Sequence, residues 1–79
     1  MKRKTNPLDD LTAYRERLGE SQAVFWARFG VTQSGGSRYE RGRELPTPTA
    51  MLVLAFDEGL LDDETLGRLQ RKASTQLDH

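Results

Sequence analysis

Polar side chains that can donate hydrogen bonds recur along the segment from Gln33 to Arg41. Side chains three and four positions apart share one face of a helix, so a helical segment would align residues 34, 37, 38 and 41. These residues are Ser34, Ser37, Arg38 and Arg41. Gln33 can present a donor and an acceptor to an adenine edge, and Arg38 can donate twice to a guanine. The pattern predicts a surface that reads bases in a DNA groove.

The charge distribution supports a polyanionic partner although the net charge is zero. Residues 1–47 contain nine Lys and Arg against six Asp and Glu, whereas residues 48–79 contain three against six. Screening limits the reach of a charge to about 8 Å at physiological salt, so only the local sign matters at a contact. Arg28, Arg41 and Arg43 are therefore predicted to bind phosphates, which position a protein on DNA without specifying sequence.

Most catalytic and metal chemistry is excluded by residues that the chain lacks. There is no Cys, and the single His is His79. These two facts exclude disulfides, thiolate metal sites, a cysteine nucleophile and an internal Ser-His pair. The acidic cluster of Asp62, Asp63 and Glu64 could suggest a metal, but consecutive carboxylates diverge on a helix and complement its dipole better. We expect no enzyme activity, catalytic residue, metal, cofactor or small-molecule ligand.

The elements that must position these residues are helices, and the predicted fold class is all-α. Capping residues, prolines and terminal glycines predict five helices, at about 7–18, 21–29, 33–41, 48–58 and from 62 onward. Residues 1–6 are predicted to be a flexible basic arm, 7–61 the main domain and 62–79 a C-terminal helix. The fourth helix is apolar on most sides and is expected at the centre of the core. Ser-Gly-Gly-Ser at 34–37 resembles a linker, but the Thr32 cap and the terminating Gly42 favour a helix there.

A 22-residue stretch carries a family resemblance. From Ser21 to Gly42 it reads Ser-Gln-x-x-Phe-x-x-Arg-Phe-Gly-Val-Thr-Gln-Ser-x-x-Ser-Arg-Tyr-Glu-x-Gly. This stretch resembles the helix-turn-helix of lambda-repressor and Cro-like DNA-binding proteins, and a looser likeness extends over about residues 8–61. The resemblance implies five packed helices, with the third in the major groove and two copies bound to a two-fold operator.

The resemblance also implies roles for individual side chains. It places base-reading positions on the third helix at Gln33, Ser34, Ser37 and Arg38. It places contacts to the DNA backbone at Gln22, Arg43, Thr47 and Thr49. It further implies an ion pair between Arg15 and Glu40, although these two residues can also be ordinary surface charges.

Two positions depart from the family's pattern. The family usually has a small residue where Trp26 stands and a branched apolar residue where Gly36 stands. Because these positions face each other in the family's helix pair, we expect the Trp26 ring to fill the space above Gly36. Gly36→Val is then predicted to overpack the pair and to cost about 1–3 kcal/mol.

The leading hypothesis is a homodimeric transcriptional repressor that binds double-stranded DNA in the bacterial cytoplasm. The apolar run Met51–Phe56 is too short to span a membrane. The predicted dimer interface is the apolar side of the last helix, at Leu66, Leu69, Ala73 and Leu77, although these residues can also pack on their own domain. The alternative is a protein-interaction module, such as an antitoxin-like partner that uses the fourth and fifth helices. Whether the basic residues from Lys2 to Lys4 touch DNA stays open.

Overall fold

Residues 6–77, the part of the chain that the computed structural model describes, contain five α-helices. They are α1 (Leu11–Arg17), α2 (Gln22–Ala27), α3 (Gln33–Glu40), α4 (Thr47–Asp57) and α5 (Asp63–Leu77), preceded by a 3-10 turn at Pro7–Asp9. The predicted all-α class is confirmed. The predicted basic arm, apart from Asn6, lies outside the described residues. Within residues 6–77, no helix is long and apolar enough to cross a membrane.

The prediction of one continuous helix over 7–18 is wrong. Asn6 caps only the 3-10 turn, where its Oδ1 accepts from the Leu8 amide at 2.8 Å. Asp10 then leaves helical geometry, with φ −153° and ψ 88°, and its side chain accepts from the Ala13 amide at 3.0 Å. Asp10 therefore ends the 3-10 turn and caps α1, because a short acidic side chain can accept from the exposed amides of a helix's first turn.

The two helices of the helix-turn-helix stretch, α2 and α3, begin where the sequence indicates, but α2 ends at Ala27, two residues before its predicted end. Ser21 caps α2 by accepting from the Val24 amide at 3.2 Å, and Thr32 caps α3 by accepting from the Gly35 amide at 3.1 Å. Gly30 connects them with φ +76°, a left-handed conformation that suits glycine. The short link directs α3 across α2, the arrangement of a helix-turn-helix unit.

An aromatic cluster on α2, rather than α4, forms the centre of the core. Phe25 and Trp26 are fully buried, and Phe25 makes edge-on contacts with Tyr14, Phe29 and Trp26 at centroid distances of 5.0–5.9 Å. The expectation that the fourth helix is central is wrong, because α4 contributes only Val53 to the fully buried set and leaves Met51 63% exposed. The core is thus built beneath the central motif itself.

Helix α5 is attached to the end of α2. Leu66 is buried against the core, and Gln70 Nε2 donates to the carbonyl oxygens of Ala27 and Arg28 at 3.0 and 2.7 Å. The prediction that Leu66 forms part of a dimer interface is therefore wrong, since the residue is 4% exposed within its own domain. Leu69 and Ala73 are exposed, and the side chain of Leu77 lies outside the described part.

Candidate nucleic-acid interface

A shallow concave surface lies along the outer face of α3. All six residues that line it are polar, namely Gln22, Gln33, Ser34, Ser37, Arg38 and Arg41. Gln33, Ser34 and Arg38 are exposed, and Ser37 is half-buried. The Arg41 guanidinium donates to Ser37 Oγ at 3.3 Å. The four predicted base-reading residues thus lie together on one surface, hereafter the α3 face, with Gln22 of α2 beside them.

A single carboxylate holds the other side of α3 against α1 and α2. The side chain of Glu40, the last residue of α3, is 4% exposed and accepts hydrogen bonds from four side chains. Arg15 donates through Nε and Nη2, at 2.8 and 3.0 Å. The other three donors are Thr12 Oγ1 at 3.0 Å, Gln22 Nε2 at 3.2 Å and Trp26 Nε1 at 2.8 Å. The ion pair expected between Arg15 and Glu40 is present, and it belongs to a larger cluster.

The hydrogen bonds determine the charge state of this cluster. Burial alone raises the pKa of Glu40, because a low-dielectric environment disfavours a carboxylate. The donors from Arg15, Trp26, Gln22 and Thr12 outweigh burial and lower the pKa of Glu40 from 4.5 to about 2. Glu40 also helps to raise the pKa of Arg15, mainly by hydrogen bonding. Both groups stay charged at neutral pH, so α3 is anchored by an ionised pair.

The indole of Trp26 lies against the middle of α3. A Cβ built on Gly36 would stand 2.1 Å from Trp26 Cδ1 and 2.2 Å from Cγ. No side chain fits at those distances, so only glycine allows the helix to approach the ring this closely. The expected packing of Trp26 above Gly36 is therefore present in the structure.

Comparison with known proteins identifies the motif. A family model described as an RsaL-like HTH domain matches residues 12–54. The chain belongs to the RsaL-like helix-turn-helix family. A solved structure of RsaL, a quorum-sensing repressor in Pseudomonas aeruginosa, is 39% identical to this chain and superposes with a TM-score of 0.72. That match covers 84% of this chain and 98% of the RsaL chain. A comparison with curated protein sequences gives no match.

Membership of the RsaL-like family confirms the main functional prediction. The chain is a helix-turn-helix, DNA-binding transcriptional regulator and not an enzyme. The family that matches is RsaL-like, which supports helix-turn-helix DNA binding in general rather than the lambda-repressor and Cro type in particular. The matched residues 12–54 include α1 except its first residue, all of α2 and α3, the link that follows and most of α4. They contain the whole α3 face.

The prediction that Arg28 binds phosphate is wrong. Its side chain is 6% exposed and donates to both carboxylate oxygens of Glu20, at 2.8 and 2.6 Å. It also pairs with Asp63 at the start of α5, and its guanidinium lies 4.4 Å from the centroid of the Phe56 ring. These contacts join the end of α2 to α4 and α5 in this RsaL-like domain. Because two carboxylates already balance its charge, Arg28 does not offer a phosphate site.

The remaining residues predicted to contact the DNA backbone lie near the end of α3 and the start of α4. Arg43 is exposed in the loop between these helices, Thr47 is exposed at the first position of α4, and Thr49 is half-buried. The Arg43 amide donates to the Arg38 carbonyl at 3.0 Å, which ties the loop to α3. Their contacts to DNA stay predictions.

Sequence reasoning missed the donors that surround Glu40. Thr12 and the indole N–H of Trp26 were not predicted to bind it, and Gln22 was assigned to phosphate alone. The available signal was Trp26 itself, because a buried indole needs an acceptor for its N–H. Glu40 lies two turns along α3 from the Thr32 cap, at the end of the helix that crosses α2.

Proposed function

We propose that the chain represses transcription by binding, as a homodimer, to a pseudo-palindromic operator in bacterial cytoplasmic DNA. Helix α3 enters the major groove, and the docking follows the lambda-repressor and Cro-like arrangement that the sequence resembles. RsaL is a quorum-sensing repressor, and the same role is proposed here for this chain.

The observation that carries the proposal is the composition of the α3 face. Its lining residues supply hydroxyl, amide and guanidinium groups, which match the donors and acceptors on base edges. Gln33 reads an adenine and Arg38 a guanine, each such pair contributing about 1–3 kcal/mol of discrimination. Ser34 and Ser37 donate to either kind of base. The carboxylate of Glu40 is turned inward, so it does not repel the phosphates.

Phosphates are bound around this face. Gln22 gives one amide hydrogen to Glu40, and its second hydrogen remains for a phosphate oxygen. Arg41 and Arg43, both exposed, extend the positive surface to the end of α3. Thr47 and Thr49 add hydroxyl and amide donors at the start of α4. These contacts set the register of the protein on the duplex without carrying sequence information.

The homodimer is proposed from α5. Leu69 is 41% exposed, and Ala73 is exposed one turn further along the same helix. Pairing of these residues with a second copy buries apolar surface that the small domain leaves in water. Two copies bind half-sites about 34 Å apart, one turn of the duplex.

The role of the α3 face is tested by separating base contacts from backbone contacts. Arg38→Ala should lower affinity for the preferred operator and relax one base position, by about 1–3 kcal/mol. Arg43→Ala should weaken every sequence alike and reduce the slope of log Kd against log salt by about one. Arg68→Ala, on α5, removes the same charge away from this face and serves as the control. Identical effects of the first two variants on a panel of operator sequences would refute the assignment.

The homodimer is tested by sedimentation over a range of protein concentrations. Leu69→Ser should shift the monomer–dimer equilibrium toward monomer and reduce operator affinity at low protein concentration. Leu18→Ser is a matched control, because Leu18 is also 41% exposed but follows α1. If both variants sediment as the wild type does, α5 is not the interface.

A further inference from the structure

The single tryptophan lies directly beneath the proposed recognition helix and contacts it at two points. We propose that Trp26 is a positioning residue that determines DNA sequence specificity, by setting the distance and rotation of α3 through Gly36 and Glu40. The inference rests on the proposed function and adds a residue that does not itself touch DNA.

The first contact fixes how close α3 lies to α2. The ideal Cβ position of Gly36 is 2.1, 2.2 and 2.6 Å from three atoms of the indole ring. The ring cannot yield, because Trp26 is fully buried between Phe25, Phe29 and Tyr39. A side chain at position 36 would therefore push the helix rather than the ring. Ordinary contact begins near 3.4 Å, so the helix would move by about 1.3 Å.

The second contact fixes the rotation of α3 about its own axis. Trp26 Nε1 donates to Glu40 Oε2 at 2.8 Å. Gly36 and Glu40 are four residues apart and lie one above the other on the same helix face. A single rigid side chain thus holds both the middle and the end of α3. Arg15 and Thr12 hold Glu40 from α1, which gives the end of α3 a second support.

This geometry controls which base edges the opposite face reaches. Ser34, Ser37 and Arg38 leave the helix on the side away from the indole and belong to the α3 face. Hydrogen bonds from nitrogen to oxygen require about 2.7–3.2 Å. A displacement of about 1.3 Å therefore breaks a bidentate base contact and allows a different one. The phosphate contacts do not have to match a particular base edge, so they tolerate the same displacement.

The test is selection of operators from a random DNA pool, followed by measurement of Kd on single-base variants. Trp26→Phe keeps a buried ring but removes the N–H to Glu40, and Gly36→Ala adds the Cβ that the indole excludes. We expect each to change discrimination at one or more operator positions by roughly tenfold. The double variant Trp26→Phe with Gly36→Ala should regain thermal stability relative to Gly36→Ala alone, because the smaller ring leaves room, and should keep an altered preference.

Val53→Ala is the control for a purely structural effect. Val53 is as completely buried as Trp26 but lies on α4 rather than on α2. This variant should lower the melting temperature and leave the selected sequence unchanged. If Trp26→Phe selects the wild-type sequence with wild-type discrimination, the inference is overturned. If the wild-type protein itself enriches no sequence, the proposed function fails first, and the inference fails with it.

Discussion

Replacement of Glu40 by glutamine tests how much of the fold depends on one carboxylate. The pKa of Glu40 falls from 4.5 to about 2 in the folded chain. Each tenfold change in acidity corresponds to about 1.4 kcal/mol, so the ionised form stabilises the fold by about 3 kcal/mol at neutral pH. Glu40→Gln should remove most of this and leave the Arg15 guanidinium, which is 14% exposed, without its counter-charge.

A loss of this size is large for so short a chain, whose expected free energy of unfolding is about 4–12 kcal/mol. This loss is measured by urea unfolding followed by circular dichroism at 222 nm. Circular dichroism is preferred to Trp26 fluorescence, because the indole contacts the Glu40 carboxylate and its signal changes with the substitution itself. The control is Glu44→Gln, which removes the same charge from an exposed position four residues away. We expect a change for the control within about 0.5 kcal/mol.

The pH dependence provides an independent readout. A group with a lowered folded pKa contributes fully above its unfolded pKa, and the contribution disappears as the pH falls through the folded value. The difference in stability between the wild type and Glu40→Gln should therefore be greatest above about pH 5 and should shrink toward pH 2. A difference that does not vary over this range, or a Glu40→Gln variant as stable as Glu44→Gln, would refute the reasoning.

Three further substitutions test individual contacts in the same unfolding assay. Arg28→Met keeps the apolar stem over Phe56 but loses the pairs with Glu20 and Asp63. It should lower the free energy of unfolding by about 1–3 kcal/mol and leave operator affinity at the wild-type value. A selective loss of DNA binding would contradict the assignment of Arg28 to the interior. Leu66→Ala leaves a cavity in the core and should lower the free energy of unfolding by about 2–5 kcal/mol. A smaller loss than that caused by Leu69→Ala, at an exposed position, would show that α5 does not pack against the core. Thr32→Ala should cost about 1 kcal/mol through loss of the α3 cap, and no change would mean that the cap contributes nothing.

The sequence contains most of what is needed to find the α3 face. Ser21 and Thr32 are capping residues and Gly30 permits the turn, so the start of each helix of the motif can be located from local chemistry. The polar positions of α3 then follow from helical spacing alone. These signals lie within 22 consecutive residues, which is why a family resemblance was visible there.

The long-range contacts could not be predicted in the same way. Arg28 has the composition of a phosphate contact, but its two carboxylate partners lie eight residues before it and 35 residues after it. Leu66 belongs to an amphipathic stripe that also suits a dimer, and only the position of α5 against α2 decides between the two. Asp10 divides the predicted first helix because its side chain can cap, a competition that helical periodicity does not register.

The two glycines inside α3 are compatible with a stable helix only because its support comes from outside the helix. Gly35 and Gly36 together disfavour α3 by about 2 kcal/mol relative to alanine. The helix has only eight residues, too few to be stable alone. Gly36 is nevertheless required by the indole beneath it, and the ion pair at Glu40 and the Thr32 cap hold the two ends. The shape of the α3 face is therefore set by α1 and α2, as the proposed positioning role of Trp26 requires.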